Sequence, residues 1–200
     1  VFEYLPRAYK NGQDKVAREK MHNASCIAGM AFTNAFLGLN HSMAHILGGK
    51  FHIPHGRANA ILLPYVIEYN AQKPTKFAAF PQYEFPVGGQ RYAEIARLLG
   101  LPAKTDEEGV ASLIKAIRDL MQELQVPLTL AETGLERERF ERELRGMSDI
   151  AFNDQCTGTN PRMPLVAEIE EVYRKAYGPT ANKTYRAKNG KAAEPQKYRV

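Results

Sequence analysis

Two hundred residues, 44% hydrophobic and 24% charged, suit one globular domain or a large piece of a bigger one. No apolar run is long enough to cross a bilayer, and Val1-Phe2-Glu3-Tyr4-Leu5-Pro6 lacks the basic start and apolar stretch of a signal peptide. The net charge of +5 comes from the stretch Pro179 to Val200, where six positives face Glu194 alone, so the first 178 residues hold 21 charges of each sign and no dedicated nucleic-acid domain.

The apolar pattern reads as helix almost throughout. From Val16 to about Leu37 the chain is rich in Ala, Met, Phe and Leu, and towards its end apolar residues occur all round, as expected of a buried helix. Gly38 breaks it, Asn40 is placed to cap a helix from His41 to Leu47, and Gly48-Gly49 stops that helix. Pro54 introduces a third helix, His55 to about Tyr69, which Pro64 should kink or split. Lys73 to Gln90, with three prolines and Gly88-Gly89, reads as an ordered loop, followed by a short helix from Tyr92 to Leu99. Thr105-Asp106-Glu107-Glu108 is a start signal for an amphipathic helix carrying Val110, Leu113, Ile114, Ile117 and Met121. Two more helices follow, Glu136 to Arg145 and Leu165 to Tyr177. With no alternating strand pattern, the expected class is all-α. The expected division is a helical body, 1–178, and a basic, disordered tail, 179–200.

Four of the five histidines fall within fifteen residues: His41, His45, His52 and His55. His41 and His45 are four apart, so they share one helix face. His55 follows Pro54 at the start of a helix, where the positive end of the dipole disfavours imidazolium and keeps the ring free for a metal. A turn through Gly48-Gly49 can bring the three rings onto one cation. Histidines four apart also arise as ordinary surface or core residues, and the spacing selects neither the metal nor the ligands. Cys26 and Cys156 are too few and too far apart for a disulfide framework and suit a reducing cytoplasm.

The run Gly29-Met30-Ala31-Phe32-Thr33-Asn34-Ala35-Phe36-Leu37-Gly38-Leu39-Asn40-His41-Ser42-Met43-Ala44-His45, followed by Phe51-His52-Ile53-Pro54-His55-Gly56-Arg57-Ala58-Asn59-Ala60, resembles the signature of the iron-containing alcohol dehydrogenase family in order and spacing. Asn153-Asp154-Gln155-Cys156-Thr157-Gly158-Thr159-Asn160-Pro161-Arg162 resembles a third family segment. The opening residues and Arg18-Glu19-Lys20-Met21-His22-Asn23-Ala24 are most similar to the alcohol dehydrogenase half of bifunctional aldehyde-alcohol dehydrogenases.

The resemblance implies the helical metal-binding domain of that family without its nucleotide-binding domain, since no Gly-rich phosphate turn follows a strand here. It implies His41 and His55 as ligands of Fe(II), with zinc as the alternative metal. It implies His45 as the histidine beside the nicotinamide of NAD that relays the alcohol proton, and Phe32 and Cys156 as residues lining the substrate. The implied reaction interconverts short-chain aldehydes such as acetaldehyde with alcohols such as ethanol, in a cytoplasmic homo-oligomer or filament. The missing initiator Met leads to the expectation of a cut chain, and because the resemblance implies an aspartate ligand, a first histidine ligand and a nucleotide-binding domain upstream of residue 1, the chain alone is expected to be inactive. A non-catalytic helical interaction module derived from such an enzyme is the competing expectation.

Overall fold

The computed structural model describes residues 1–74 and 87–179. The expected basic tail therefore lies, from residue 180 onward, outside the described residues, as does most of the expected loop before Gln90. Among the described residues every regular element is helical: α1 Tyr4–Lys10, α2 Lys15–Ala35, α3 Leu39–Phe51, α4 His55–Ala71, α5 Gly88–Leu98, α6 Asp106–Glu123, α7 Arg137–Asn153 and α8 Val166–Tyr177. Single 3-10 turns lie at Ala131–Thr133 and Thr157–Thr159. None of these helices is long and apolar enough to cross a membrane.

The main core is where α3, α4, α7 and α8 meet. Leu39, Met43 and Leu47 from α3 pack with Ile61, Leu62 and Val66 of α4, Phe140, Leu144 and Met147 of α7, and Ile169, Val172 and Tyr173 of α8. Each large side chain removed from water here stabilises the fold by about 1.5–3 kcal/mol. The buried hydroxyls are satisfied: Tyr173 donates to the Met43 carbonyl at 2.9 Å and Tyr177 to the Leu135 carbonyl at 2.9 Å. A second cluster joins Ile67 of α4 to Ala96 of α5 and to Val110 and Leu113 of α6. There α5 and α6 approach so closely that a Cβ on Gly109 would lie 2.7 Å from the Ala93 methyl, so only glycine fits.

Several helices differ from their sequence pattern for local reasons. The α3 N-cap is Gly38, not Asn40, and Asn40 sits in the first turn with its amide donating to the Asn59 side chain at 2.7 Å. Gly48-Gly49 does not end α3, which continues to Phe51. The terminator is His52, held in the left-handed region at φ 56° with its N–H on the Gly48 carbonyl. Pro64 does not divide α4, because its ring is buried in the core and packing offsets the lost backbone bond. Gly88 to Gln90 belong to α5 rather than to a loop, and α7 runs to Asn153 rather than to Arg145.

The expected burial of α2 is corrected. It is capped by Asp14, whose side chain accepts from the Ala17 N–H, and it packs chiefly on α1. Only Ala17 is buried, while Ile27 is 61%, Met30 57% and Phe32 48% exposed. A helix that is apolar all round was expected to be covered, and no described element covers its far half.

Candidate metal centre

The α3–α4 hairpin carries the site. Its link is three residues, His52 to Pro54, and the left-handed turn at His52 sends the chain back so that α4 starts beside α3. His41 and His45 occupy successive turns of α3, and His55 stands at the first position of α4. The three rings converge. His41 lies 5.4 Å from His55 and 6.2 Å from His45 between centroids, and His45 stacks on His55 at 5.4 Å with 15° between planes.

Asn59, one turn after His55, brings its amide nitrogen 3.0 Å from His55 Nε2. Its orientation follows from Asn40, which donates to Asn59 Oδ1 and leaves the NH2 for His55. On the other side, Asp154 closes the cluster from the end of α7. Its Oδ2 is 3.0 Å from His45 Nδ1, and its Oδ1 accepts from the Cys156 N–H at 2.8 Å and from the Ser42 hydroxyl at 3.3 Å.

The electrostatics follow from this packing. Partial burial pushes His41 below its ordinary pKa, and the neighbouring His55 and His45 push it further, against a smaller opposing effect of Asp154. His41 is thus biased to the neutral ring that a metal requires. Burial pushes the Asp154 carboxyl up, but the Cys156 N–H and the His45 ring outweigh it, so the group stays below the usual carboxylate range. The Cys156 thiol is pushed up to about 11, first by burial and then by the Asp154 carboxylate beside it.

Among the described residues, the group of three candidate donors whose ligand atoms all lie within 4.8 Å of one another is His45, Asp154 and Cys156. Its cysteine is a poor ligand as it stands. Its sulfur is 1% exposed and held as a thiol, whereas ligation needs the thiolate. The same facts give a direct check. With a thiol-reactive disulfide reagent at pH 8, exposed Cys26 should react promptly and Cys156 only after denaturation. Prompt labelling of both in the native state would contradict the buried thiol.

A cavity of about 310 Å³ opens beside His41, lined among others by Phe36, Asn40, Leu63, Tyr92 and Asn160. A larger groove, of about 870 Å³, lies between α4 and α6 and contains none of the histidines. Phe32 does not line the cavity by His41; Phe36, one turn on, does. Cys156 sits against Asp154, beneath His45. His52 stays outside the cluster as the residue that ends α3.

Asp154 and Asn59 are the site residues that sequence reasoning did not single out. Both stand inside the motif segments, and Asp154 is two residues before Cys156.

Over residues 1–177 the chain matches the model of the Fe-containing alcohol dehydrogenase family, C-terminal. It is 48% identical over 177 residues to the aldehyde-alcohol dehydrogenase of Streptococcus pneumoniae serotype 4, covering 88% of this chain and 20% of that protein. It is 43% identical over 177 residues to the NADPH-dependent butanol dehydrogenase of Clostridium saccharobutylicum, covering 88% of this chain and 42% of that one. The solved iron-containing alcohol dehydrogenase from Thermococcus thioreducens superposes with a TM-score of 0.73 at 37% identity, over 88% of this chain and 40% of that one. The chain therefore spans between one fifth and about two fifths of the length of these relatives.

Proposed function

The chain belongs to the Fe-containing alcohol dehydrogenase family, and on that premise we propose that it forms the metal- and substrate-facing part of an NAD-dependent, Fe(II)-dependent alcohol dehydrogenase acting on short-chain aldehydes such as acetaldehyde and alcohols such as ethanol. The observation that carries the reading is the cluster of His41, His45 and His55, in ring contact with one another on the α3–α4 hairpin. The donor set fits a divalent iron or zinc, with imidazoles at ring-contact distance and one of them held neutral by its surroundings. His41 and His55 are the ligands in this reading.

When bound, iron supplies Lewis-acid polarisation of a carbonyl oxygen and the nicotinamide supplies the hydride. The remaining work falls to the chain. The cavity beside His41 takes a small aldehyde against Phe36 and Leu63. His45, whose side chain is 37% exposed, holds a proton for the product oxygen in reduction and takes it back in oxidation. Cys156 stays a neutral thiol that packs under this histidine and does not act as a nucleophile. A cytoplasmic homo-oligomer or filament is the proposed setting.

Activity is expected of the full-length protein and not of this chain. The purified 200-residue chain, supplied with Fe(II), NADH and acetaldehyde, should show no aldehyde-dependent loss of NADH absorbance. Robust turnover by the chain alone would refute that division of labour. The exposed apolar residues of α2 favour a second reading, a helical interaction module, in which self-association persists after His41→Ala and metal removal. Elemental analysis of the full-length protein decides between iron and zinc, and kinetics with NADH and NADPH decide the nicotinamide.

A further inference from the structure

Asp154 reaches His45 across 109 residues of sequence, and its carboxylate is held by the His45 ring, the Cys156 N–H, the Ser42 hydroxyl and the Cys156 thiol. The Cys156 N–H belongs to the backbone and cannot turn away, so it fixes which oxygen is Oδ1. Ser42 supplies the second donor. Thr157 Oγ1 lies 2.6 Å from the Ala151 carbonyl and 2.8 Å from Ser42 Oγ. A carbonyl only accepts, so with the single Thr157 proton on Ala151 the Ser42 proton is shared between Thr157 Oγ1 at 2.8 Å and Asp154 Oδ1 at 3.3 Å. Ser42 and Thr157 are fully buried, which keeps water from competing for these positions. The remaining oxygen, Oδ2, faces His45 Nδ1 at 3.0 Å.

We infer that Asp154 is a positioning residue that locks His45 in the Nδ1–H tautomer, leaving its Nε2 lone pair as the one proton acceptor the ring presents to the site. An ionised carboxylate only accepts, so the Nδ1 facing it must carry the hydrogen. Nε2 has no hydrogen-bond partner among the described residues. The same contact sets the ring plane, which lies parallel to His55. The logic is that of any histidine whose proton-transfer nitrogen is chosen by what its other nitrogen touches.

The inference rests on the reading of His45 as the proton relay, and the test separates the two. Asp154→Asn is the informative variant. Because the Cys156 N–H still requires an oxygen, the new amide should keep its Oδ1 there and turn its NH2 towards His45 Nδ1. The histidine must then move its hydrogen to Nε2 and lose the acceptor on the site side.

In the full-length enzyme, Asp154→Asn should lower kcat about 10- to 100-fold, with the aldehyde KM and bound iron unchanged. In a His45→Gln background the same change should add nothing. Diethylpyrocarbonate attacks an unprotonated imidazole nitrogen. Its labelling of His45 in metal-free enzyme, read by peptide mass against exposed His52, should fall severalfold in Asp154→Asn.

An unchanged kcat, an equal loss in both backgrounds, or lost iron would overturn the role given to Asp154. Should His45→Gln leave kcat intact, the relay reading of His45 falls instead. The labelling experiment then decides the Asp154 contact by itself: reduced labelling upholds it and unchanged labelling overturns it.

Discussion

In the full-length enzyme, His41→Ala should lower the bound iron below stoichiometry and reduce kcat/KM on the order of 10³-fold. The argument starts from the ring contacts. Each ring of the trio touches both others, and His41 is the one that lines the cavity proposed for the aldehyde. Its surroundings also bias it to the neutral form. Removing it takes away a preformed donor and leaves a gap that water fills, so the loss appears in metal content as well as turnover. His45→Gln provides the contrast, since it should slow turnover while the iron stays. His52→Gly is the control. That residue ends α3 with positive φ, where glycine is the preferred residue, so neither iron nor activity should change. Elemental analysis beside steady-state kinetics on the three variants checks all of this together. Full iron content in His41→Ala would show that the ligands lie elsewhere.

Asn160→Leu should destabilise the fold by about 3–5 kcal/mol, a large loss for a residue outside the histidine cluster. The Asn160 side chain is 1% exposed and fully used. Its Oδ1 accepts from the Leu39 N–H at 3.1 Å and from Asn70 Nδ2 at 3.3 Å. Its Nδ2 donates to Asn70 Oδ1 at 2.7 Å and to the Arg162 carbonyl at 2.6 Å. Leucine has nearly the same shape and none of these bonds. It would strand the Leu39 N–H at the head of α3, the Arg162 carbonyl and Asn70 Oδ1, while Asn70 Nδ2 keeps the Tyr92 hydroxyl at 3.2 Å. Each buried group left unpaired costs about 1–3 kcal/mol. Urea unfolding should show the midpoint shift with an unchanged slope. Because Leu39 opens the helix that carries His41 and His45, iron affinity should weaken as well. Alanine at Gly38 probes the same contact from the other side, since its Cβ would sit 2.8 Å from Asn160 Oδ1.

Much of this was legible in the sequence, and the reasons differ from element to element. The all-α class followed from apolar periodicity, and the Thr105 cap from side-chain chemistry that acts within four residues. The Thr105 hydroxyl accepts from the Glu108 N–H, and the Glu108 carboxylate accepts from the Lys104 N–H. The histidine cluster was legible because its members lie within fifteen residues and helical spacing converts such separations into distances. The features that escaped reading depend on contacts that sequence spacing does not encode. Gly48-Gly49 looked like a terminator, but packing of α3 on α4 and α7 carries the helix past it, and His52 takes the left-handed position instead. Gly88-Gly89 looked like a turn, yet both residues begin α5. Asp154 was passed over because a carboxylate near a helix end is ordinary until it meets a histidine more than a hundred residues earlier. The apolar helix α2 was read as buried from composition, and composition does not say what lies against it.

The donors of the metal centre also differ in when the folding chain can assemble them. His41, His45 and His55 sit on one hairpin closed by a three-residue link, a low-contact-order unit whose entropy of closure is small. Asp154 arrives only when α7 docks on α3, a long-range event. A nascent chain can therefore bring its three imidazoles together before it owns the carboxylate that faces His45. Cation capture by that hairpin favours its folded form and gives α7 a finished surface to dock on. On the proposed reading, metal supply during synthesis would act on the yield of native protein as well as on turnover.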